Sequence, residues 1–112
     1  MEEKTQTQLY SEFLIAKAKR LDIDPEIKEK VIRMLEYLGQ SERRKLYLVQ
    51  DFQSEFYLEI NNSKLYQTAR NYDYAGTPTQ KNSAIMLVKD LPSIYIQYKD
   101  KIEESLSSSK RF

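Results

Sequence analysis

The sequence predicts an all-α protein, a compact bundle of five to six short helices. Apolar residues recur at the three- and four-residue spacing of helices along most of the chain, and the connections between these stretches are short. A chain of 112 residues can bury one modest core, so we expect a single helical domain over residues 1–112 with frayed ends at 1–6 and 107–112. A small β-hairpin near 55–70 is the alternative for the most ambiguous segment.

The first two helices are expected at residues 8–21 and 24–38. Asp24 can cap the second helix, Pro25 suits its first turn, and Gly39 can end it. The apolar side of this second helix has the most regular helical period in the chain and consists of Ile27, Val31, Met34, Leu35 and Leu38.

The third helix is predicted over residues 41–60, where Ser41 can serve as the N-cap. Its apolar residues are three or four positions apart, namely Leu46, Val49, Phe52, Phe56 and Ile60. The alternative is a pair of strands whose apolar faces are Leu46, Leu48 and Phe52, and Phe56, Leu58 and Ile60. The segment "QDFQSE" between these strands lacks turn residues, whereas Asn61 and Asn62 suit the tip of a hairpin. The helix is therefore the primary prediction.

The rest of the chain is predicted to form two further helices around one loop. The first spans 63–74 with Ser63 as its cap and the loop spans 75–82. The last helix spans 83–106, either continuous or broken at Pro92. The predicted core of the bundle comprises Phe13, Leu14, Ile27, Val31, Leu35, Leu38, Val49, Phe56, Leu87 and Ile102.

Two residue types are missing from the chain, and their absence limits its chemistry. There is no cysteine and no histidine, which excludes disulfides, thiolate and imidazole catalysis, and zinc sites built from those ligands. Two glycines are too few for a P-loop or a dinucleotide-binding fingerprint. We therefore expect a non-enzymatic protein with no cofactor and no bound metal.

Charge and hydropathy bear on partners and location. The net charge of +1 gives no attraction of the whole molecule to polyanions, so such binding would need local segregation of charge. The apolar run "AIMLV" at 84–88 is far shorter than a membrane span, and the polar start "MEEKTQ" contains no signal peptide. We expect no membrane association and a cytoplasmic location.

Three carboxylates fall on one face of the predicted third helix. Asp51, Glu55 and Glu59 are spaced at i, i+4 and i+8, an arrangement that could hold a hard cation. Because there is no second acidic cluster and no histidine, we interpret them as a solvated acidic face.

The basic cluster Arg43, Arg44 and Lys45 occupies the first turn of the same predicted helix. The helix dipole disfavours a cation there by about 0.3–1 kcal/mol. A locally unfavourable choice of residues points to a site, and a helix N-terminus flanked by arginines suits a phosphate. Ordinary solvated surface is the alternative interpretation.

The segment 61–89 is locally positive and interleaves tyrosines with asparagines, a mixture suited to single-stranded nucleic acid. The predicted function is a non-enzymatic subunit that binds nucleic acid within a larger nucleoprotein assembly. The predicted contact residues are Arg43, Arg44, Lys45, Lys64, Arg70, Tyr66, Tyr72 and Tyr74. The alternative is a protein-interaction or regulatory module, of viral or plasmid origin, whose exposed tyrosines bind a protein partner or a second copy.

Overall fold

A computed structural model describes residues 3–41, 44–50, 54–61, 64–71, 79–80 and 84–109. Within these ranges the chain forms four helices and four antiparallel strands. In chain order they are α1 (Gln6–Lys19), α2 (Pro25–Leu38), β1 (Lys45–Gln50), β2 (Ser54–Asn61), β3 (Lys64–Asn71), β4 (Thr79–Gln80), α3 (Ala84–Gln97) and α4 (Lys99–Ser109).

The first two helices begin at well-formed caps. Thr5 and Gln8 form a reciprocal capping box at the start of α1, with each side chain accepting from the backbone N–H of the other residue. At the start of α2, the Asp24 carboxylate accepts from the backbone N–H of Ile27, and Pro25 occupies the first turn. The predictions for these two helices are confirmed, with the boundaries of α1 shifted by two residues.

Gly39 ends α2 in right-handed backbone geometry, at φ −82°. The glycine is therefore not needed for a left-handed C-cap. A Cβ atom at this position would instead collide with the side chain of Ser11 on α1, whose hydroxyl donates to the carbonyl of Leu35 at 2.7 Å. The missing side chain thus lets α1 and α2 approach each other closely.

The strands lie in the order β1-β2-β3-β4, with each neighbouring pair antiparallel. Asn61 pairs with Lys64 at the end of the β2–β3 hairpin, and the register continues without a shift to Ser54 opposite Asn71. Between β1 and β2 the register shifts at Leu48, which is therefore the extra residue of a β-bulge.

The all-α prediction is wrong. The segments 41–60 and 63–74, predicted as helices, contain the strands β1, β2 and β3 instead. The hairpin alternative, with its tip at Asn61, is the one that forms. Strand residues 45–49 and 55–61 are rich in tyrosine, phenylalanine and β-branched side chains, which fit a pleated surface better than a helix. The spacing of the apolar residues in these segments fitted both the helical period and the two-residue period of a strand. Pairing between the strands selected the two-residue period.

The C-terminal helices follow each other almost without interruption. Pro92 lies inside α3, so of the two alternatives the break at that residue is wrong. The separation between α3 and α4 falls at Tyr98 instead. Helix-type hydrogen bonds cross it, from the N–H of Tyr98 to the carbonyl of Ile94 and from the N–H of Ile102 to the carbonyl of Tyr98, both at 3.0 Å.

One core lies between the helices and a single face of the sheet. The sheet contributes the buried residues Leu46, Leu48, Leu58, Ile60 and Leu65, and the helices contribute Leu14, Ala18, Val31, Met34, Leu35, Leu38, Val88, Leu91, Ile94, Tyr95, Ile102 and Leu106. Full burial of one such leucine stabilises the fold by about 1.5–3 kcal/mol. This layer of helices on a sheet replaces the predicted helical bundle.

The predicted core was right for the leucines and valine of α1 and α2, and for Ile102. Phe13 is wrong, because it is 47% exposed on the outside of α1. Ile27 and Phe56 are half-buried against the core and Val49 is half-buried, while the side chain of Leu87 lies outside the described residues. None of the helices within the described ranges has the length and apolar character required to cross a bilayer.

Candidate functional site

The sheet has a second face, opposite the core, that carries polar and aromatic side chains. Alternation along β1 and β2 puts Lys45, Tyr47, Tyr57 and Glu59 on this side, and we call these four residues the open face. Tyr47 and Tyr57 are cross-strand partners with ring centroids 5.5 Å apart and planes tilted by 54°. Tyr47 is 43% exposed, so an aromatic ring is available to a ligand on this face.

Lys45 is held by its neighbours on the open face. Its ammonium lies 4.6 Å from the ring centroid of Tyr57 and 3.5 Å from Oε2 of Glu59, its cross-strand partner. Burial acts to lower the pKa of Lys45, but Tyr57, Glu59 and Tyr47 together outweigh it and raise that pKa above its ordinary value. The charge of Lys45 is therefore retained and partly neutralised in place.

Arg44, the residue before β1, has different surroundings. Its guanidinium lies 4.9 Å from the ring centroid of Tyr37, in the last turn of α2. Among the described residues no carboxylate lies within ion-pair distance of it. The aromatic ring restrains the guanidinium, and no described carboxylate competes for its N–H donors.

A cleft of about 620 Å³ brings these features together. It lies between the end of α2, the adjoining strands β1 and β2, and α4, and its lining residues are Tyr37, Arg44, Lys45, Tyr47, Glu59, Asn61 and Ser105. A smaller recess of about 180 Å³ continues from Tyr47 and Ser105 along α4 to Lys101 and Glu104. The size of the main cleft falls within the range of about 300–1,000 Å³ that ligand sites occupy.

The structure brings only part of the predicted basic track to this cleft. Arg44 and Lys45 line it, although they lead into a strand rather than a helix, so the predicted phosphate seat at a helix N-terminus is wrong. Lys64 is exposed at the start of β3, opposite the cleft residue Asn61, and is therefore close to its rim. Arg43, Tyr72 and Tyr74 lie outside the described residues.

Two further predicted residues lie elsewhere on β3. Tyr66 is half-buried opposite Glu59. It is also close to Tyr10 of α1: the pKa of the Tyr10 hydroxyl is raised mainly by burial of that hydroxyl and to a smaller extent by Tyr66. The backbone of Arg70 pairs with Glu55, at the end of β2 away from Asn61. Tyr66 is not among the described residues that line the cleft.

Sequence reasoning missed Tyr37, Tyr47, Asn61 and Ser105 as members of one site. Tyr37 and Ser105 belong to helices far apart in the chain, and no local signal joins them to β1. The side of the sheet on which Tyr47 lies follows from the strand alternation, and the helical interpretation concealed it.

The acidic face predicted for a helix does not form. Glu55 and Glu59 lie on β2, and Asp51 is outside the described residues. Across the described ranges, no group of three acidic side chains is arranged to hold a metal ion.

Comparison with protein-family models, with curated proteins and with solved structures finds no match for this chain.

The chemistry of the cleft follows from its lining. Arg44 offers a fixed cation with several donors, Tyr47 offers an exposed ring, and Glu59 offers a carboxylate. Asn61 and Ser105 add groups that both donate and accept hydrogen bonds. A ligand that combines an anionic group, a flat ring and polar ring edges matches all of these at once.

Proposed function

We propose that the protein binds single-stranded nucleic acid in this cleft, as a non-enzymatic binding protein. The observation that carries the proposal is the position of Arg44, a guanidinium without a carboxylate partner among the described residues, in the same cleft as the exposed ring of Tyr47. A nucleotide unit has the two features that these residues recognise, a phosphate and a planar base.

Arg44 would contact the phosphate. A guanidinium presents parallel N–H donors that match two phosphate oxygens, and the ring of Tyr37 limits its motion before the ligand arrives. Lys45 adds positive charge beside it but is shared with Glu59, so its contribution is smaller.

Tyr47 would stack on a base. Stacking of a base on an aromatic side chain is worth about 1–3 kcal/mol, and it requires a base that is not already stacked and paired in a duplex. Tyr57 supports the ring of Tyr47 from the neighbouring strand. This requirement favours single strands over double-stranded nucleic acid.

The net charge of +1 implies a short electrostatic contact. For a single strand, each phosphate that the protein contacts contributes about 0.7 to the magnitude of the slope of log affinity against log salt. We therefore expect a shallow salt dependence, set by a small number of phosphates at the cleft.

The test compares matched substitutions inside and outside the cleft. Fluorescence anisotropy with a labelled mixed-sequence oligonucleotide measures affinity at several salt concentrations. Arg44→Ala should weaken binding about tenfold and reduce the salt slope by about 0.7, whereas Arg20→Ala, which removes an exposed arginine elsewhere, should change neither. Tyr47→Ala should also weaken binding about tenfold, whereas Phe13→Ala removes a similarly exposed ring from α1 and should not.

Equal losses from Arg44→Ala and Arg20→Ala would show that binding is diffuse and would remove the cleft as its site. If the unsubstituted protein has no affinity for any single strand at low salt, the proposal fails as a whole.

The second candidate function is a protein-interaction module, and a specific feature of α1 favours it. Leu9 and Phe13, one helical turn apart, are each 47% exposed, and Lys17 lies 5.2 Å from the ring centroid of Phe13. An apolar patch with a cation at its edge is typical of a protein contact. A second copy as the partner predicts a molecular mass that rises with concentration in sedimentation analysis and falls to the monomer value in Phe13→Ala.

A further inference from the structure

We infer that the cleft prefers guanine among the four bases and that Glu59 sets this preference. The inference rests on the proposed function and deepens it by naming the base that the site would select. Among the described residues that line the cleft, Glu59 is the one carboxylate. The inference follows from its position there and from its capacity to accept further hydrogen bonds.

Glu59 is fixed in place but not fully used. It lies on the central strand β2 and its side chain is 18% exposed. Oε2 is 3.5 Å from the ammonium of Lys45, and because a carboxylate oxygen has two lone pairs it keeps capacity to accept a further hydrogen bond.

The other oxygen, Oε1, accepts no hydrogen bond from any described residue. The side chain of Glu59 is partly exposed, so part of it faces solvent. Because Glu59 lines the cleft, that solvent is where a ligand would lie.

An ionised carboxylate accepts hydrogen bonds and cannot donate them. It is therefore complementary to a base edge that presents two adjacent donors. Guanine presents such an edge with its ring N1–H and its exocyclic amino group. Adenine and cytosine place an acceptor next to their amino donor, and uracil and thymine flank a single N–H with two carbonyl oxygens. Each of these would put an acceptor against a carboxylate oxygen, which is repulsive.

The other polar groups of the cleft do not discriminate in this way. Asn61 and Ser105 can each donate or accept, so they adapt to any base edge. Lys45 lies between the carboxylate and the tyrosine pair, where its charge offsets that of Glu59 and allows an anionic strand to approach. Glu59 is thus the specificity-determining residue of the cleft.

The test uses labelled oligouridines that carry at their centre a guanine, an adenine, a cytosine or the original uracil. The unsubstituted protein should bind the guanine strand about tenfold more tightly than the other three, within the range that a two-point base contact provides. Glu59→Gln has nearly the same shape but offers one donor and one acceptor. It should lose the preference, so that the guanine strand and plain oligouridine bind with the same affinity.

Glu55→Gln is the matched control, since it makes the same chemical change on the same strand outside the cleft lining. It should keep the guanine preference. Competition by free guanosine and adenosine monophosphates against the labelled guanine strand, using the unsubstituted protein, tests the preference without any substitution. Guanosine monophosphate should displace the strand at lower concentration.

The outcomes separate the inference from the function on which it rests. Equal binding of the four strands by the unsubstituted protein overturns the guanine preference and leaves single-strand binding intact. A preference that survives in folded Glu59→Gln overturns the role of Glu59. Failure of all four strands to bind at low salt overturns the proposed function itself.

Discussion

Arg44 and Lys45 are adjacent cations whose surroundings give them different properties. Lys45 shares its charge with Glu59 across the strand pair, while Arg44 rests on the ring of Tyr37 with no described carboxylate nearby. Lys45 begins β1 while Arg44 precedes the strand, so even these neighbours in sequence meet different partners. The two residues belong to one basic cluster in sequence, but of the two only Lys45 has a carboxylate partner among the described residues.

Gly39 provides a prediction at the same scale. Gly39→Ala introduces a Cβ atom that collides with the Cβ and Oγ atoms of Ser11, and moving Ser11 would disturb its hydrogen bond to Leu35. We expect the free energy of unfolding to fall by about 1–3 kcal/mol, as for other overpacked sites. Urea denaturation followed by far-UV circular dichroism measures the loss.

The control for this prediction restores the space. Ser11→Gly in the Gly39→Ala background removes the atoms that collide, so the combined loss should be smaller than the sum of the two single losses. An unchanged urea midpoint for Gly39→Ala would show that α1 and α2 are not held this close.

At the scale of elements, the β1–β2 pair is joined on its open face by Tyr47 and Tyr57. Their rings are 5.5 Å apart in a tilted arrangement, which is typical of an attractive aromatic pair. A double-mutant cycle with Tyr47→Ala and Tyr57→Ala should give a coupling free energy of about 0.5–1.5 kcal/mol in urea denaturation. The cycle cancels the separate contact between Tyr57 and Lys45.

Tyr47→Ala combined with Phe13→Ala serves as the reference for additivity, because Phe13 lies on α1, which is not in the sheet. Additive effects are expected for that pair. If Tyr47 and Tyr57 were equally additive, the register of β1 against β2 would have to differ from the one described.

The bulge at Leu48 explains why β1 is hard to recognise in sequence. Leu46 and Leu48 are both buried, as strand alternation requires, but after the shift Val49 is opposite Phe56 on the core side. The bulge therefore breaks the strict two-residue period within a six-residue strand. The remaining pattern, from Leu46 to Val49, has helical spacing.

At the scale of the whole molecule, a polar network connects three helices. The Tyr95 hydroxyl of α3 donates to Oε2 of Glu103 on α4 at 2.6 Å, and the Lys30 ammonium of α2 lies 2.9 Å from the same oxygen. The pKa of Tyr95 is raised to about 12. Burial is the largest cause, followed by the hydrogen bond to Glu103 and the negative charges of Glu103 and Glu26, while the positive charge of Arg33 acts to lower this pKa. The hydrogen bonds from Tyr95 and Lys30 lower the pKa of Glu103.

These shifts predict how stability depends on pH. The folded-state pKa of Tyr95 is raised, so its contribution to stability is complete below pH 10.0 and is lost as the pH rises towards about 12. The folded-state pKa of Glu103 is lowered, so its contribution is present above the ordinary value of 4.5 and is lost as the pH falls through the folded value. The free energy of unfolding should therefore decline at both limits of this window.

Urea midpoints across the pH range, for the unsubstituted protein and two variants, measure the effect. Glu103→Gln should be less stable by about 1 kcal/mol at neutral pH and should flatten both limbs, because it removes the negative charge that strengthens the interactions with Tyr95 and Lys30. Tyr95→Phe keeps the ring and should flatten the alkaline limb while an acid limb remains. Identical pH profiles for all three proteins would contradict the network.

The sequence alone was sufficient for α1 and α2 because their signals are local. Asp24, Pro25 and the apolar stripe of α2 act within a few residues of one another, so they specify a helix whatever lies around it. The chemistry that the chain cannot perform was likewise determined by residue types, since it has no cysteine and no histidine.

Only the tertiary structure decided the sheet and the site. The apolar residues between Leu46 and Ile60 fitted a helix and a strand pair alike. The strand state gains its hydrogen bonds from the pairing of β1 with β2 and of β2 with β3, and its burial from the helical layer. The cleft depends in the same way on contacts over long separations. Tyr37 and Ser105 line the same cleft as Arg44 because α4 packs against β1 and α2 against β2, and this proximity exists only once the helices have packed against the sheet.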